Sequence, residues 1–338
     1  MTATRNFRFV LALAILTLGG VPASASELVE GEVSSELVPG PVPYIVVLPP
    51  GYAEATEPFP LVLNLHGGNG DRNGIKRQAP RYDEMWASGE LPPMVIVMAS
   101  VTKRCFYMDF KDGSERWESF IIGPYLEHLR ATYKVSKDPK KTFITGISMG
   151  GMGSLRIAFK HPELFGAVAG LEPGISPILR WEEMRLKHRC WRADDLFERA
   201  YGKPVDPEYW AANNPAAIVA ADPDRLRESG LQIYLDAADE DDFWLYEGAE
   251  FLHQVLWDRR VKHEYHLVRG AGHVGPSHTQ RVNEAFRFLA RSMDPWNRDK
   301  LPDAVRRNTA NIKRLASEAE EGDHYSQVDA EPRITAGW

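Results

Sequence analysis

The sequence lacks the features that mark several common classes of protein. It has two cysteines in 338 residues and neither a CxxC nor an HExxH pattern, so no dedicated zinc site is predicted. Its 47 acidic residues outnumber its 40 lysines and arginines, which gives a formal net charge of -7. An acidic chain is not favoured as a partner for a nucleic-acid backbone or an anionic membrane. We therefore expect no nucleic-acid partner and no metal.

The amino-terminal apolar stretch is too short to span a bilayer. Phe9–Leu18 has ten residues, whereas a membrane-spanning helix needs about twenty. Arg5 and Arg8 precede it and the small residues Ala23–Ala25 follow, which is the pattern of a cleaved export signal rather than of a membrane anchor. We expect residues 1–25 to be removed after Ala25. The mature protein is then periplasmic or secreted, with no membrane span.

The predicted export affects whether the two cysteines are oxidised or reduced. Cys105 and Cys190 could form a disulfide in an oxidising compartment. They could equally be two buried thiols, because a bridge requires close approach of the two Cα atoms. The sequence leaves both possibilities open.

Short apolar runs alternate with longer amphipathic segments along the chain. Most of the short runs are continuously apolar, which is typical of strands covered by helices on both faces. The predicted strands are Tyr44–Pro49, Leu61–His66, Met94–Ser100, Thr142–Ile147, Ala167–Pro173, Leu231–Ala237 and Glu264–Gly270. The predicted helices are Trp117–Tyr133, Met149–Pro162, Phe243–Arg259 and His278–Met293. This alternation predicts an α/β fold with a mostly parallel central sheet and right-handed crossovers.

We expect one domain over residues 26–293. Two segments of the chain depart from the alternation of strands and helices. The insertion 174–222 either covers a binding cleft or packs as a structural excursion. Its tryptophans either stack on a sugar or an aromatic acyl group or pack internally; they are Trp181, Trp191 and Trp210. The polar extension 294–338 contains a possible helix, Asp303–Glu320, and we assign it no function.

The stretch FITGISMGGM, residues 143–152, places a serine among glycines between a predicted strand and a predicted helix. GxSxG in this context is the nucleophile elbow, a turn so sharp that larger flanking side chains collide. Gly146 and Gly150 fit that requirement. We therefore predict that Ser148 is a nucleophile.

A serine nucleophile needs a base, and the base needs a carboxylate to orient it. In this fold they follow the serine in the order acid, then histidine. Asp241 is favoured as the acid over Asp236, which lies within a strand, and over its loop neighbours Asp239 and Asp242. It could instead cap a helix. Among the later histidines, His273 is favoured as the base, because it lies between two glycines after a strand, unlike His263, His266 and His278.

The second oxyanion donor is predicted from LVLNLHGGNGD, where a strand ends directly before two glycines. Glycine lets the backbone approach a substrate closely. We assign the oxyanion hole to the backbone N–H groups of Gly68 and Met149, with Asn69 nearby. A plain glycine turn is the alternative.

Several of these motifs together resemble the putative-esterase family of α/β-hydrolases, which includes esterase D-like enzymes, feruloyl and acetylxylan esterases, and mycolyltransferases. The resemblance covers Tyr44–Met293 and is carried by YIVVLPPGY, LVLNLHGGNGD, YMDFKDGSERWESF, TGISMGGMGSLRIAFKHPELFGAVAG, YWAANNPA and RGAGHVG. It implies a triad of Ser148, Asp241 and His273. The family's GxxD motif occurs here as Ala238–Asp241, with alanine for the usual glycine. FIIGPYLEHL lacks an acidic-leucine pair common in the family, so no role is carried over to Glu118.

These observations predict an exported serine hydrolase that cleaves carboxylic esters through an acyl-enzyme. Such chemistry requires no metal or organic cofactor. Export favours acetyl or feruloyl esters of saccharides or other small-molecule esters over a cytosolic thioester. Two alternatives stay open: an acyltransferase with the same triad and an alcohol acceptor, and a non-catalytic binding protein on the same fold. No oligomeric state is assigned.

Overall fold

The computed structural model describes residues 25–189, 194–294 and 303–318. The chain divides into two compact units, residues 1–292 and 293–338. The predicted export signal lies outside the described residues, as do Cys190 and Trp191.

The first unit is built on an eight-stranded mixed sheet, which confirms the predicted fold class. Its strands are β1 (Glu27–Val33), β2 (Val42–Leu48), β3 (Leu61–Leu65), β4 (Val95–Ala99), β5 (Thr142–Ile147), β6 (Ala167–Leu171), β7 (Gln232–Ala238) and β8 (Glu264–Val268). Their order is β1-β2-β4-β3-β5-β6-β7-β8. The β1–β2 and β2–β4 pairs are antiparallel and the other pairs are parallel.

Helices cover the sheet. They are α1 (Gly74–Ser88), α2 (Trp117–Phe120), α3 (Leu126–Thr132), α4 (Met149–Lys160), α5 (Asp194–Tyr201), α6 (Pro207–Ala211), α7 (Pro215–Ala221), α8 (Pro223–Ser229), α9 (Leu245–Asp258) and α10 (Pro276–Ser292). In the second unit, α11 (Asp303–Glu318) falls within the predicted helix there. Three predicted helices therefore have close counterparts in α4, α9 and α10.

The single helix predicted over Trp117–Tyr133 is wrong. A π-helical turn, Ile121–Tyr125, separates α2 from α3. Gly123 has non-helical dihedral angles there (φ -105°, ψ -106°), and Pro124 lacks a backbone N–H to continue the helical ladder. Both pieces still bury apolar side chains, Trp117 and Phe120 in α2 and Leu126 and Leu129 in α3.

The centre of the sheet is fully buried. Every residue of β3 and β6 is buried, and so is every residue of α4 from Met149 to Phe159. A helix buried all round lies inside the fold, so α4 and the residue preceding it are held rigidly. By contrast, most of β1 at the edge is exposed.

The described part of the insertion packs on the domain through aromatic side chains. The ring of Trp181 lies 5.8 Å from that of Phe197 and 6.0 Å from that of Trp210. Trp210 is 2% exposed, so its ring packs internally and is not available to a sugar. Phe197 in turn contacts Phe106, which brings the insertion towards the loop after β4.

Cys105 is a free thiol in the interior. Burial raises the pKa of this thiol to about 12, so at neutral pH it is protonated and unreactive. Across the described segments, no helix has the length and apolar character needed to cross a bilayer.

We expect Gly248→Ala to lower the free energy of unfolding by about 1–3 kcal/mol, the usual cost of overpacking. A Cβ on Gly248 would lie 2.1 Å from the backbone oxygen of Ile175, so α9 would have to move away from the loop after β6. Gln254→Ala, an exposed change on the same helix, is the control and should stay within about 0.5 kcal/mol. Urea denaturation of both variants measures the difference, and equal midpoints would contradict this packing.

Candidate active site

Ser148 occupies a strained turn between β5 and α4. Its dihedral angles are φ 58° and ψ -114°, a region that non-glycine residues seldom adopt. The surrounding backbone holds it there: the Ser148 N–H donates to the Leu171 oxygen at 2.8 Å, and its own carbonyl accepts from the N–H groups of Met152 and Gly174. The structure thus places Ser148 at an elbow on the carboxyl edge of the sheet.

Three glycines make this elbow sterically possible. A Cβ on Gly146 or Gly150 would lie 2.6 Å or 2.2 Å from the backbone oxygen of Leu65. One on Gly151 would lie 2.4 Å from the backbone oxygen of Leu171. A side chain on Gly150 or Gly151 would therefore force α4 away from β3 or β6, and one on Gly146 would force β3 and α4 away from β5.

His273 and Asp241 meet on two loops at the same edge of the sheet. His273 Nδ1 lies 2.8 Å from Asp241 Oδ2, and the Asp241 side chain is fully buried. The other Asp241 oxygen accepts from the Phe243 N–H at 2.6 Å. Because Nδ1 is held by the carboxylate, Nε2 of His273 is left to exchange a proton.

The environment keeps Asp241 ionised. Burial pushes the pKa of its carboxyl up, but the hydrogen bonds from His273 and the Phe243 amide outweigh burial and bring the pKa below its ordinary value. The neighbouring aspartates have other partners: Asp239 accepts from the Gly270 N–H, and Asp236 is paired with Arg281. Of the four aspartates considered from the sequence, Asp241 is the one that contacts His273.

The two predicted oxyanion donors lie beside Ser148. A Cβ on Gly67 would be 3.6 Å from Ser148 Cβ, whereas one on Gly68 would meet nothing within 4 Å. Gly68 therefore faces open space next to the serine. Met149 is the first residue of α4, so its N–H has no acceptor within the helix.

A buried histidine and tyrosine support the glycine loop from below. The Val101 N–H donates to His66 Nε2 at 3.3 Å, and His66 Nδ1 lies 2.8 Å from the Gly67 carbonyl oxygen. His66 is thus neutral with its proton on Nδ1, in agreement with burial, which lowers its pKa. The Tyr107 hydroxyl donates to the His66 carbonyl at 2.9 Å.

Ser148, His273, Gly68 and Met149 open onto one cavity of about 360 Å³. Most of its remaining wall is apolar, formed by Phe106, Ile147, Met152, Leu196, Phe243, Leu245 and Val274. The Phe243 ring meets the His273 ring edge-on, with 4.9 Å between their centres. The cavity therefore offers a hydrophobic surface directly beside Ser148.

Glu172 places a second carboxyl close to His273. Among the described residues, one donor atom each from Glu172, Asp241 and His273 lies within 4.8 Å of the other two, a grouping that could hold a metal ion. In the structure, however, His273 Nδ1 is committed to Asp241, and Glu172 Oε1 lies 2.7 Å from Arg281 Nη2. These contacts already occupy His273 Nδ1 and Glu172 Oε1.

Sequence reasoning missed His66, Tyr107, Glu172 and Arg281. His66 had a visible signal, since it ends the strand run before the two glycines. Glu172 had a weaker one, directly after a strand.

Glu118, to which no role was carried over, is a buried carboxylate paired with Lys160 and His161 at 2.7 and 3.0 Å.

An elbow serine after β5, a histidine after β8 and an acid after β7 on a mostly parallel sheet define the α/β-hydrolase fold. Known structures agree with this assignment. A solved ferulic acid esterase superimposes with a TM-score of 0.66, covering 79% of this chain and 99% of its own, at 21% identity.

The chain belongs to the putative esterase family, whose model matches residues 35–289. An endo-1,4-beta-xylanase/feruloyl esterase of Xylanibacter ruminicola is 28% identical over 134 residues, which are 36% of this chain and 18% of that protein. Esterase Rv1288 of Mycobacterium tuberculosis is 23% identical over 247 residues, 68% of this chain and 52% of that protein. The chain thus spans about half or less of the length of these curated relatives.

We expect Tyr107→Phe to lower the free energy of unfolding by about 1–3 kcal/mol, because the buried His66 carbonyl loses its donor. Ester hydrolysis should slow by at least about threefold as the glycine loop loses its position. Tyr209→Phe is a matched control, since the Tyr209 hydroxyl also donates to a backbone oxygen, that of Asp109, at 2.7 Å. Thermal melting and initial rates on both variants test this, and equal rates would show that the loop does not depend on Tyr107.

Proposed function

We propose that the protein is an exported serine hydrolase that cleaves carboxylic esters through an acyl-enzyme intermediate. The observation that carries the proposal is the convergence of Ser148, the His273–Asp241 pair and two backbone N–H groups on one cavity. Membership of the putative esterase family and the esterase names of its relatives support the reaction class.

In the proposed reaction each of these groups has a step. His273 Nε2 takes the proton of the Ser148 hydroxyl as the serine oxygen attacks the ester carbonyl, and Asp241 stabilises the resulting imidazolium. The N–H groups of Gly68 and Met149 donate to the oxyanion, with the amino end of α4 adding its dipole. His273 then protonates the leaving alcohol and afterwards activates the water that releases the acid.

The cavity wall favours an apolar or aromatic acyl group. Phe106, Met152 and Leu196 contribute hydrophobic surface, and a volume of about 360 Å³ lies within the usual range for small-molecule sites. We propose feruloyl-type or acyl esters of saccharides as substrates. The names of the xylanase/feruloyl esterase relative and of the ferulic acid esterase structure support this choice.

We expect Ser148→Ala and Asp241→Asn each to lower kcat for p-nitrophenyl esters by at least about 10³-fold, since one loses the nucleophile and the other the orientation of His273. Asp239→Asn, on the same loop and hydrogen-bonded to Gly270 instead, is the control and should stay within about threefold. Full activity of Ser148→Ala would refute the proposed chemistry.

A series of p-nitrophenyl esters from acetate to long acyl chains, together with methyl ferulate, tests the acyl site. We expect turnover that falls with chain length but persists for the aromatic ester, because the cavity is short and apolar. A burst without turnover, relieved by an added sugar alcohol, would instead show an acyltransferase. Failure of a fluorophosphonate to label the wild type would indicate a non-catalytic binding protein.

Export predicts a defined amino terminus. We expect the protein recovered outside the cytoplasm to begin at Ser26, because the Ala23–Ala25 pattern directs cleavage after Ala25. Amino-terminal sequencing of the fractionated protein measures this. Cytoplasmic protein that keeps residues 1–25 would contradict export.

A further inference from the structure

Glu172 is a buried carboxyl that the proposed reaction does not use. It follows β6 directly, is fully buried, and has a positive φ of 42°. Its N–H donates to the backbone oxygen and to Oδ1 of Asp236 at 3.1 and 3.2 Å. A non-glycine residue held in this conformation is costly, so the placement of this side chain is a specific feature of the fold.

The charges around Glu172 do not balance if every carboxyl is ionised. Three carboxyls are buried here, and one guanidinium lies among them: Glu172 and Asp236 contact Arg281, and Asp241 lies close enough to Glu172 to repel its charge. Arg281 Nη2 lies 2.7 Å from Glu172 Oε1 and 2.7 Å from Asp236 Oδ1, and Arg281 Nε donates to Asp236 Oδ2 at 3.0 Å. With neutral His273, three carboxylates would leave two buried negative charges uncompensated, which is expensive in a protein interior. One bound proton relieves this.

The hydrogen bonds show which carboxyl holds that proton. Asp241 accepts from His273 and from the Phe243 N–H, and Asp236 accepts twice from Arg281. Both oxygens of Glu172 are buried without a hydrogen bond of good geometry, despite the contact with Arg281. Burial raises the pKa of Glu172 to about 9 against the attraction of Arg281, and repulsion from Asp241 and Asp236 adds to the rise.

We propose that Glu172 is a positioning residue of the active site, whose protonated carboxyl donates a hydrogen bond to Asp241 and so fixes the carboxylate that orients His273. The inference rests on the proposed function of the triad. A Glu172 oxygen is among the atoms that lie within 4.8 Å of one another with Asp241 and His273. The proton stays on Glu172 throughout the reaction, and Asp241 carries one negative charge.

Ionisation of Glu172 would remove this support. Asp241 would lose a donor and face a second carboxylate, so its contact with His273 would loosen. Two other titratable groups near the cluster stay neutral as the pH passes 9. Burial and the Arg281 charge lower the pKa of His278 to about 4, and burial raises that of Tyr265 well above its ordinary value. Burial also raises the pKa of Asp236, opposed by its two bonds from Arg281.

The functional test compares pH profiles. The rate at which a fluorophosphonate labels Ser148 should fall by about threefold or more in the wild type as the pH rises through about 9. Glu172→Gln keeps the shape and a donor but cannot ionise, so its profile should stay flat there. Glu172→Leu should lower kcat by about tenfold with KM nearly unchanged, because the lost donor orients Asp241 rather than substrate. Asp239→Asn is the control and should follow the wild type.

A second measurement detects the proton on the Glu172 carboxyl directly. Infrared spectra of protein carrying ¹³C at the glutamate side-chain carboxyl should show a protonated-carboxyl band at neutral pH that disappears near pH 9. The band should be absent in Glu172→Gln, and the glutamate label separates it from Asp236. Absence of the band in the wild type, or identical wild-type and Glu172→Gln profiles, would overturn the proposal. If the wild type shows the protonated-carboxyl band but is not labelled by the fluorophosphonate and does not hydrolyse esters, the proposed function is refuted instead.

Discussion

The close contact of α4 with the ends of β3 and β6 is the constraint on which the site depends. Gly150 lies against the carbonyl of Leu65 and Gly151 against that of Leu171, with no room for a side chain at either position. This contact fixes Ser148 between the two strand ends, with the glycine loop on one side and Glu172 on the other. The strain at Ser148 is tolerated because α4 is buried all round and cannot relax outwards.

The second organising feature is the buried charge cluster around Arg281. This residue lies on α10 and joins the ends of β6 and β7 through Glu172 and Asp236. Buried ion pairs seldom add net stability, because desolvation cancels much of the attraction. What the cluster does provide is geometry. It ties α10 to the two strands whose loops carry Glu172 and Asp241, and so sets the distance between those carboxyls.

Much of the fold was predictable because its central strands are buried on both faces and therefore read as continuous apolar runs. β1 was missed because it is an exposed edge strand without such a run. α1 was missed because Pro80 interrupts its pattern. The break between α2 and α3 depends on the dihedral angles of Gly123, which the apolar spacing does not report.

The residues of the site likewise differ in how well the sequence predicts them. Ser148, His273 and the glycine loop carry local signals, because each needs a particular residue type next to a strand end. Four aspartates near the end of β7 competed for the acid position, and the sequence favoured Asp241 only by its distance past the strand, since the final choice depends on the turn that follows β7. Glu172 and His66 stand at strand ends in the sequence, but their burial and their partners from distant segments are not carried by the sequence pattern.

The charge on Glu172 matters because of where negative charge develops during the reaction. In the proposed reaction, the proton of Ser148 moves to His273 as the serine attacks, and a negative charge appears on the substrate oxygen. The proposal has Asp241 balance the imidazolium and the Gly68 and Met149 N–H dipoles stabilise the oxyanion, so the net charge of the site stays constant. The Asp236–Arg281 pair is already neutral. A carboxylate at Glu172 would add an unmatched, buried negative charge close to His273 and so oppose formation of the oxyanion. A neutral acid at this position supplies a hydrogen bond without that penalty.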